Sequence, residues 1–493
     1  MKPIRIIIAM VMLLVPLAAR TLWFYQGTYQ RTGSIPTPDF ASFTIPQPDL
    51  STPAPDQPTN AASAAVKPDV LFDLSHGNAY FLSEVETLTK AIDKLGAGVI
   101  VDEDSRSLFE HLKYVASLVE IAPTNPFSSN EIREITAFVK RGGTLLVLTD
   151  PTRNFGGATF GTSSNSNMSS TEVTNLLLAP FGISFNDDYV YNLVNNDGNF
   201  RNVSFEQITS SPVTENLSKI VLYSAHSILT KQTALVEGDA NTFSSLTDKG
   251  SNLVVAASAQ ENKVSALGDM TFLTLPYNQV ADNQNLILNI AKFLANGAPE
   301  QTLRSFPYLF SRPITILTPA DKPIDPVMVS AMSEAQSSLE ALGYTLDFAS
   351  KLEDGHDLLV ASSLPLEDAL KPLVAPFKLT FTKEPAPTPT PAAGSSTGLP
   401  TPEAGGFNPN TETMINYVSV PGLGKFETDG LGLLLFAPSE KSNTLIMLAG
   451  SVSGIKDLAG MVSSGSLNGC IIQGQVAVCK LSSGSGGGFT GGG

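Results

Sequence analysis

Cysteine is nearly missing from this chain: only two of its 493 residues are Cys, at positions 470 and 479. A cysteine nucleophile is therefore excluded from the first 469 residues. No serine stands in a G-x-S-x-G elbow, which removes a second common nucleophile. Histidine is scarce at four, and no local spacing of His, Cys, Asp or Glu forms a zinc ligand set, so no metal or cofactor is expected. Gly142-Gly143 is not a phosphate loop, because it opens a strand-like run rather than a helix. Positive charge is also short. Against 46 Asp and Glu there are 30 Lys and Arg, for a net charge of −16. Nucleic-acid binding needs basic patches that displace counterions, so no nucleic-acid partner is expected.

Long apolar runs are few, and the longest uncharged one lies at the start. Lys2 and Arg5 precede an apolar, uncharged stretch over residues 6–19. That length suits a signal-peptide core better than a spanning helix. If Arg20 snorkels, residues 6–25 become a span closed by Leu22, Trp23, Phe24 and Tyr25 as an aromatic belt. Leu17-Ala18-Ala19 is a poor cleavage site, which favours an uncleaved anchor at residues 1–25. Either reading places the rest of the chain outside the cytoplasm, because positive charge stays inside. The expected location is the cell membrane, with one pass and a cytoplasmic N-terminus, or a secreted chain if the segment is cleaved.

Residues 26–67 and 384–410 are rich in Pro, Thr, Ser and Ala. Such segments cannot bury enough apolar surface to order themselves. The first reads as a spacer, the second as an insert, and residues 482–493 as a Gly/Ser-rich tail. Two folded domains are expected between them, at 68–297 and at 311–383 plus 411–481. In the first, apolar runs at 69–74, 98–101, 117–122 and 144–149 alternate with helical patterns opened by Ser83/Glu86 and Ser128/Glu131 capping pairs. Runs without polar alternation, at βαβ spacing, predict a parallel sheet covered on both faces. The expected fold is α/β: two three-layer αβα-type domains, the first with a mostly parallel doubly wound sheet, tethered by the N-terminal membrane segment.

The two cysteines lie in GCIIQGQVAVC. A two-residue turn at Gly474-Gln475 sets Cys470 directly opposite Cys479 on a non-hydrogen-bonded pair, where a cross-strand disulfide fits. So short a loop gives it at most about 2–3 kcal/mol of stabilisation.

Three segments carry the candidate chemistry: LFDLSHGN (71–78), VLTDPTRN (147–154) and ALGDMTFL (266–273). Each follows a strand-like run, and open α/β sheets bind ligands at the carboxyl ends of their strands. His76 lies near Asp73 and Asn78, a pattern that suits a general base or a structural His holding its loop. Asp150 and Asp269 end later strands and could share the crevice of Asp73 as an acid/base or cation-binding group, or could cap turns. Arg153 could pair with them or hold an anionic ligand. The ligand-binding candidates are thus Asp73, His76, Asn78, Asp150, Arg153 and Asp269, with Asp73, His76 and Asp269 as the candidates for catalysis.

HGN after the first strand, AFVKRGGTLLVLTDP in the middle and the LGD-x-x-FL to FL run near the end resemble the DUF4350 family over residues 68–297. The stretch also resembles the extracytoplasmic domain of gliding-motility and ABC-type auxiliary proteins. Both sit in the wider class I glutamine amidotransferase-like, flavodoxin-like group. The resemblance implies a three-layer α/β fold and no set activity. Amidotransferases carry a Cys at a strand-to-helix elbow and a later His-Glu pair; this chain has no such Cys, and no His follows His226 in the domain. The expectation is a membrane-tethered, non-catalytic envelope binding or scaffold protein, whose partner is an envelope protein or glycan. The alternatives are an envelope polymer or glycan hydrolase using His76 with Asp73 and Asp269, or the auxiliary subunit of an ABC-type exporter.

Overall fold

Apolar runs of about five residues are too short for buried helices, and here they are strands: β1 Asp69–Asp73, β2 Gly98–Asp102, β3 Ser117–Ile121 and β4 Thr144–Leu148. They belong to a computed structural model that describes residues 12, 14–16, 19, 69–153, 168–247, 252–318, 325–385, 414–439 and 441–482. The spacer at 26–67, the tail from 483 and nearly all of the insert lie outside the described residues, as does most of segment 1–25. Among the described residues, no helix is long and apolar enough to cross a membrane.

The chain is a mixed α/β protein with parallel and antiparallel strands. After β4 come β5 Ile183–Phe185, β6 Val190–Asn192, β7 Asn202–Phe205, β8 Gln207–Ile208 and β9 Ile220–Tyr223. Then follow β10 Ile228–Thr230, β11 Thr233–Glu237, β12 Thr242–Ser244, β13 Val254–Ala259 and β14 Val264–Leu267. The first sheet runs β2-β1-β3-β4-β14-β13-β10-β5, with β11 on β13 and β8 beyond β11. Strands β2, β1, β3, β4 and β14 are parallel, and the other five join antiparallel. The sheet is thus half antiparallel, not mostly parallel. The cause is local. Gln260, Glu261 and Asn262 all take left-handed backbone (φ 52°, 54° and 64°), closing a tight hairpin where a parallel pair would need a crossover helix.

Helices cover both faces. Helices α1 (Glu86–Lys94) and α5 (Asn283–Ala295) pack on Val70, Phe72, Val119, Ile121, Leu146 and Leu148. Helices α2 (Leu108–His111), α3 (Ser129–Lys140) and α4 (Ser170–Leu178) pack on Leu71, Leu118, Leu145 and Val147. Alternate strand residues thus feed opposite cores, as the two-residue pleat requires. Ser128 and Glu131 form a full capping box on α3: Glu131 N–H donates to Ser128 Oγ at 3.2 Å, and Ser128 N–H to Glu131 Oε2 at 2.6 Å. The expected Ser83/Glu86 box does not form. A short 3-10 turn, Leu82–Glu84, intervenes, and Glu84 accepts from Phe81 N–H at 2.8 Å instead.

The second half holds β15 Ile314–Leu317, α6 Pro326–Ala341, β16 Leu346–Ala349, β17 Asp357–Ser363, α7 Lys371–Val374 and β18 Thr380–Pro385. Then come β19 Met414–Val420, β20 Gly424–Glu427, β21 Leu431–Ala437, β22 Thr444–Ala449, α8 Val452–Ser464, β23 Cys470–Gln473 and β24 Val476–Lys480. The sheet order is β16-β15-β17-β22-β21-β24-β23, parallel through β22 and antiparallel after it. Its core on the side of α6 and α8 takes in Leu303, Phe306, Leu309 and Phe310, upstream of the first strand. Both sheets belong to one compact unit, Ala62–Gly493. At the far edge Cys470 pairs with Cys479 in register and the two form a disulfide.

Candidate ligand site at the strand ends

β1 lies between β2 and β3, so the chain leaves β1 in one direction for β2 and returns on its other side as β3. Loops at the carboxyl ends of β1 and β3 diverge there, which is where flavodoxin-like sheets hold their ligands. All five parallel strands place a carboxyl at this rim. Asp73 ends β1, Asp102 ends β2, Glu120 is next to last in β3, and Asp150 and Asp269 lie two residues past β4 and β14. All five are buried.

Asp73, His76 and Asn78 come together, joined by four residues outside the candidate set: Ser75, Glu120, Phe127 and Glu131. His76 Nδ1 donates to Asp73 Oδ2 at 2.6 Å, and Ser75 donates through N–H and Oγ to Asp73 Oδ1 at 2.9 and 2.6 Å. The far nitrogen, Nε2, lies 3.6 Å from Glu131 Oε1, the second oxygen of the carboxylate that caps α3. Phe127 stacks on the ring with centroids 3.9 Å apart. Asn78 is consumed by the loop: its Oδ1 accepts from His76 N–H at 3.1 Å, and its Nδ2 donates to Ile121 O at 3.1 Å and toward Glu120 Oε2 at 3.4 Å.

The charges in this cluster are set by their surroundings. Burial alone would raise the pKa of Asp73, but the hydrogen bond and charge of His76 and the two bonds from Ser75 outweigh it, leaving it below the usual carboxylate range. Glu120 goes the other way. Full burial and then the negative Asp73 beside it push its carboxyl well above the usual range. Burial and Asp73 thus both favour the neutral form of Glu120, while His76 and Ser75 favour the charged form of Asp73. A charged letter inside the apolar run SLVEIA was the signal for it.

Asp150 and Asp269 form a separate pair. Asp269 accepts from Tyr223 N–H at 2.9 Å and Thr271 N–H at 2.8 Å. Asp150 accepts from Thr152 N–H at 2.8 Å, from Thr152 Oγ1, and from Thr271 Oγ1 at 2.8 Å. Burial and then the charge of Asp150 push Asp269 well above the usual range, favouring its neutral form. Gly268 sets this geometry, because a Cβ there would lie 2.2 Å from His226 O. Among the described residues, no hydrogen bond joins this pair to His76. Arg153 forks onto Glu84, with Nη1 2.9 Å from Oε2, and donates to Ala79 O at 3.0 Å. Arg153 is thus neither a plain surface side chain nor hydrogen-bonded to the Asp pair, whose charges still act on it: its ion pair fixes the loop after β1 to the loop after β4. Loop 195–202 is a hydrogen-bonded turn, with Ser204 N–H donating to Asn195 O and Asp197 N–H to Asn202 O. Among the described residues, no group of three or more His, Cys, Asp or Glu is placed to hold a metal ion.

No family model matches the chain, and no curated protein matches it. Two solved structures are similar over about half of it. One is the mmIFT52 N-terminal domain: 15% identity, TM-score 0.37, covering 47% of this chain and 99% of that one. The other is a ThuA-like protein from Bacteroides uniformis ATCC 8492: 17% identity, TM-score 0.30, covering 48% of this chain and 95% of that one.

Proposed function

We propose that this chain is a non-catalytic binding or scaffold protein of the cell envelope, carried outside the cytoplasm by its N-terminal segment, whose first half is a DUF4350-like, amidotransferase-like domain without a nucleophile. One observation carries the non-catalytic part: both ring nitrogens of His76 face carboxylates of the protein itself, Asp73 on one side and Glu131 on the other. Nδ1 is taken by its bond to Asp73, and Nε2, 3.6 Å from Glu131 Oε1, belongs to a side chain only 4% exposed, which limits a substrate's access to it. Ser75 does not complete a triad, because its Oγ approaches the same Nδ1 as Asp73, at 3.1 Å. The Asp150–Asp269 pair is the feature that favours a hydrolase. Its oxygens, however, are taken by Tyr223, Thr152 and Thr271, and both residues are buried. The tether, an envelope protein or glycan as partner, and the exporter-auxiliary role rest on the sequence reading alone.

The test has two parts. A phosphatase fused after residue 68 is expected to be active only if that point lies outside the cytoplasm. The full chain incubated with envelope glycan and peptidoglycan is expected to release no reducing ends. Turnover that disappears in His76→Ala or Asp269→Asn would establish the hydrolase instead.

A further inference from the structure

A second site lies at the opposite, amino end of the parallel strands of the first sheet. Arg141 directly follows α3 and precedes β4, at the amino end of the strand. It lines a cleft of about 440 Å³ between the first half and the end of α8 in the second. Lys113, Arg133 and Arg304 line it too, with Glu110 and Glu134. Four cations against two carboxylates give a local balance of +2 in a chain whose total is −16. Lys113 is matched by Glu110 at 2.8 Å, whereas Arg133 and Arg304 both reach for Glu134, at 3.7 and 3.8 Å.

Arg141 is the unusual member. Its Nη atoms donate only to neutral acceptors at long range: Ser305 Oγ at 3.3 Å, Leu112 O at 3.3 Å and Glu300 O at 3.4 Å. Its Nε is buried with no partner. Burial, and then the positive Arg304, disfavour its charge, with Glu134 offsetting part of this. A guanidinium whose hydrogen bonds all go to long-range neutral acceptors makes none to a carboxylate, and an oxyanion in the cleft would supply a charged one. Phe109 and Ile472, 36% and 39% exposed, also line the cleft and offer apolar surface. The volume falls within the range of about 300–1,000 Å³ common for small-molecule sites.

We propose that this cleft binds a small amphipathic anion, its carboxylate or phosphate head on Arg141 and Arg304 and its apolar body against Phe109 and Ile472. The site is independent of the strand-end rim and of the envelope reading. The experiment is calorimetric titration of the full chain with octanoate and with octyl phosphate, below their micelle concentrations, and with octanol as the uncharged control. Saturable one-to-one binding of at least one anion is expected, and the stronger of the two identifies the head group. Arg141→Gln and Arg304→Gln are each expected to weaken it about tenfold or more, the worth of one charge-assisted hydrogen bond. Arg141 also holds the connecting segment, so Arg304→Gln, whose side chain is 64% exposed, decides the matter if R141Q does not fold. The proposal is overturned if neither anion binds saturably, if octanol binds as well as the anions, or if R304Q leaves the affinity unchanged.

Discussion

At the scale of single residues, the strand-end cluster is a buried network in which Asp73 is matched by His76 and Ser75 while Glu120 keeps one oxygen, Oε1, without a hydrogen-bond partner. His76 and Asp73 are a buried pair, with side chains 4% and 0% exposed. Removing one partner leaves the other charge uncompensated, so His76→Ala is expected to lower unfolding free energy by about 3–5 kcal/mol at pH 7. Urea denaturation measures this, and a loss under about 1 kcal/mol would mean the pair is not what holds the loop. Glu120 gives the opposite prediction. Its folded pKa is raised, so its contribution is full below the unfolded value and is lost as pH rises toward the folded one. Glu120→Gln copies the neutral form and removes that loss. The variant should gain on the parent as pH rises above about 5, by up to about 1.4 kcal/mol per pH unit while only the folded form holds the proton. Asp73 acts in reverse: its lowered pKa stabilises above the unfolded value and the benefit vanishes as pH falls through the folded one. The His76–Asp73 pairing was legible because a three-residue spacing past a strand end returns one side chain onto the other. Glu131 was legible as a cap but not as a neighbour of His76, since only tertiary packing brings α3 beside the β1 loop.

At the scale of elements, what the sequence shows well is whatever repeats a strong local rule. The runs that became β1, β3 and β4 lack polar alternation, because both faces of each are covered. The cysteine hairpin was legible down to its register, since Gly474 takes the left-handed backbone (φ 59°) that its turn requires. Strands β5 to β12 were not seen. They are two to five residues long and most pair with distant partners, so no window of periodicity covers them. β16 was missed for a related reason: as an edge strand it buries only Leu346. The two capping pairs show how far a motif reaches. Both fit the same spacing, yet only Ser128/Glu131 closes, because the Phe81 turn gives its backbone N–H to Glu84, which Arg153 then holds in place. Ser128→Ala should therefore cost about 1 kcal/mol in a thermal or urea melt, while Ser83→Ala should change stability by no more than about 0.5 kcal/mol. Equal losses in the two variants would mean that cap geometry is not what distinguishes them.

At the scale of the whole molecule, the two sheets begin alike. Each places its first strand between the second and third, with the fourth parallel strand beside the third: β2-β1-β3-β4 and β16-β15-β17-β22, the antiparallel β21 having joined on the far side of β22. No sequence repeat announces this, and none is needed, because the rules for connecting parallel strands allow few orders. The second sheet tolerates its Pro-rich insert for a reason visible in the register. β18 pairs with β19 through Pro385 and Met414, so the insert leaves and re-enters at two facing residues. Residues 386–413 thus join the ends of an antiparallel pair already closed by backbone hydrogen bonds. Closing a loop costs entropy that grows slowly with its length, so exchanging these residues for a four-residue Gly/Asn turn should stabilise the full chain by about 1–2 kcal/mol. A urea melt with an unchanged slope and a higher midpoint is the expected result. A loss of stability larger than that gain would show that the insert packs on the body, and the composition argument that set it apart as a spacer would then fail.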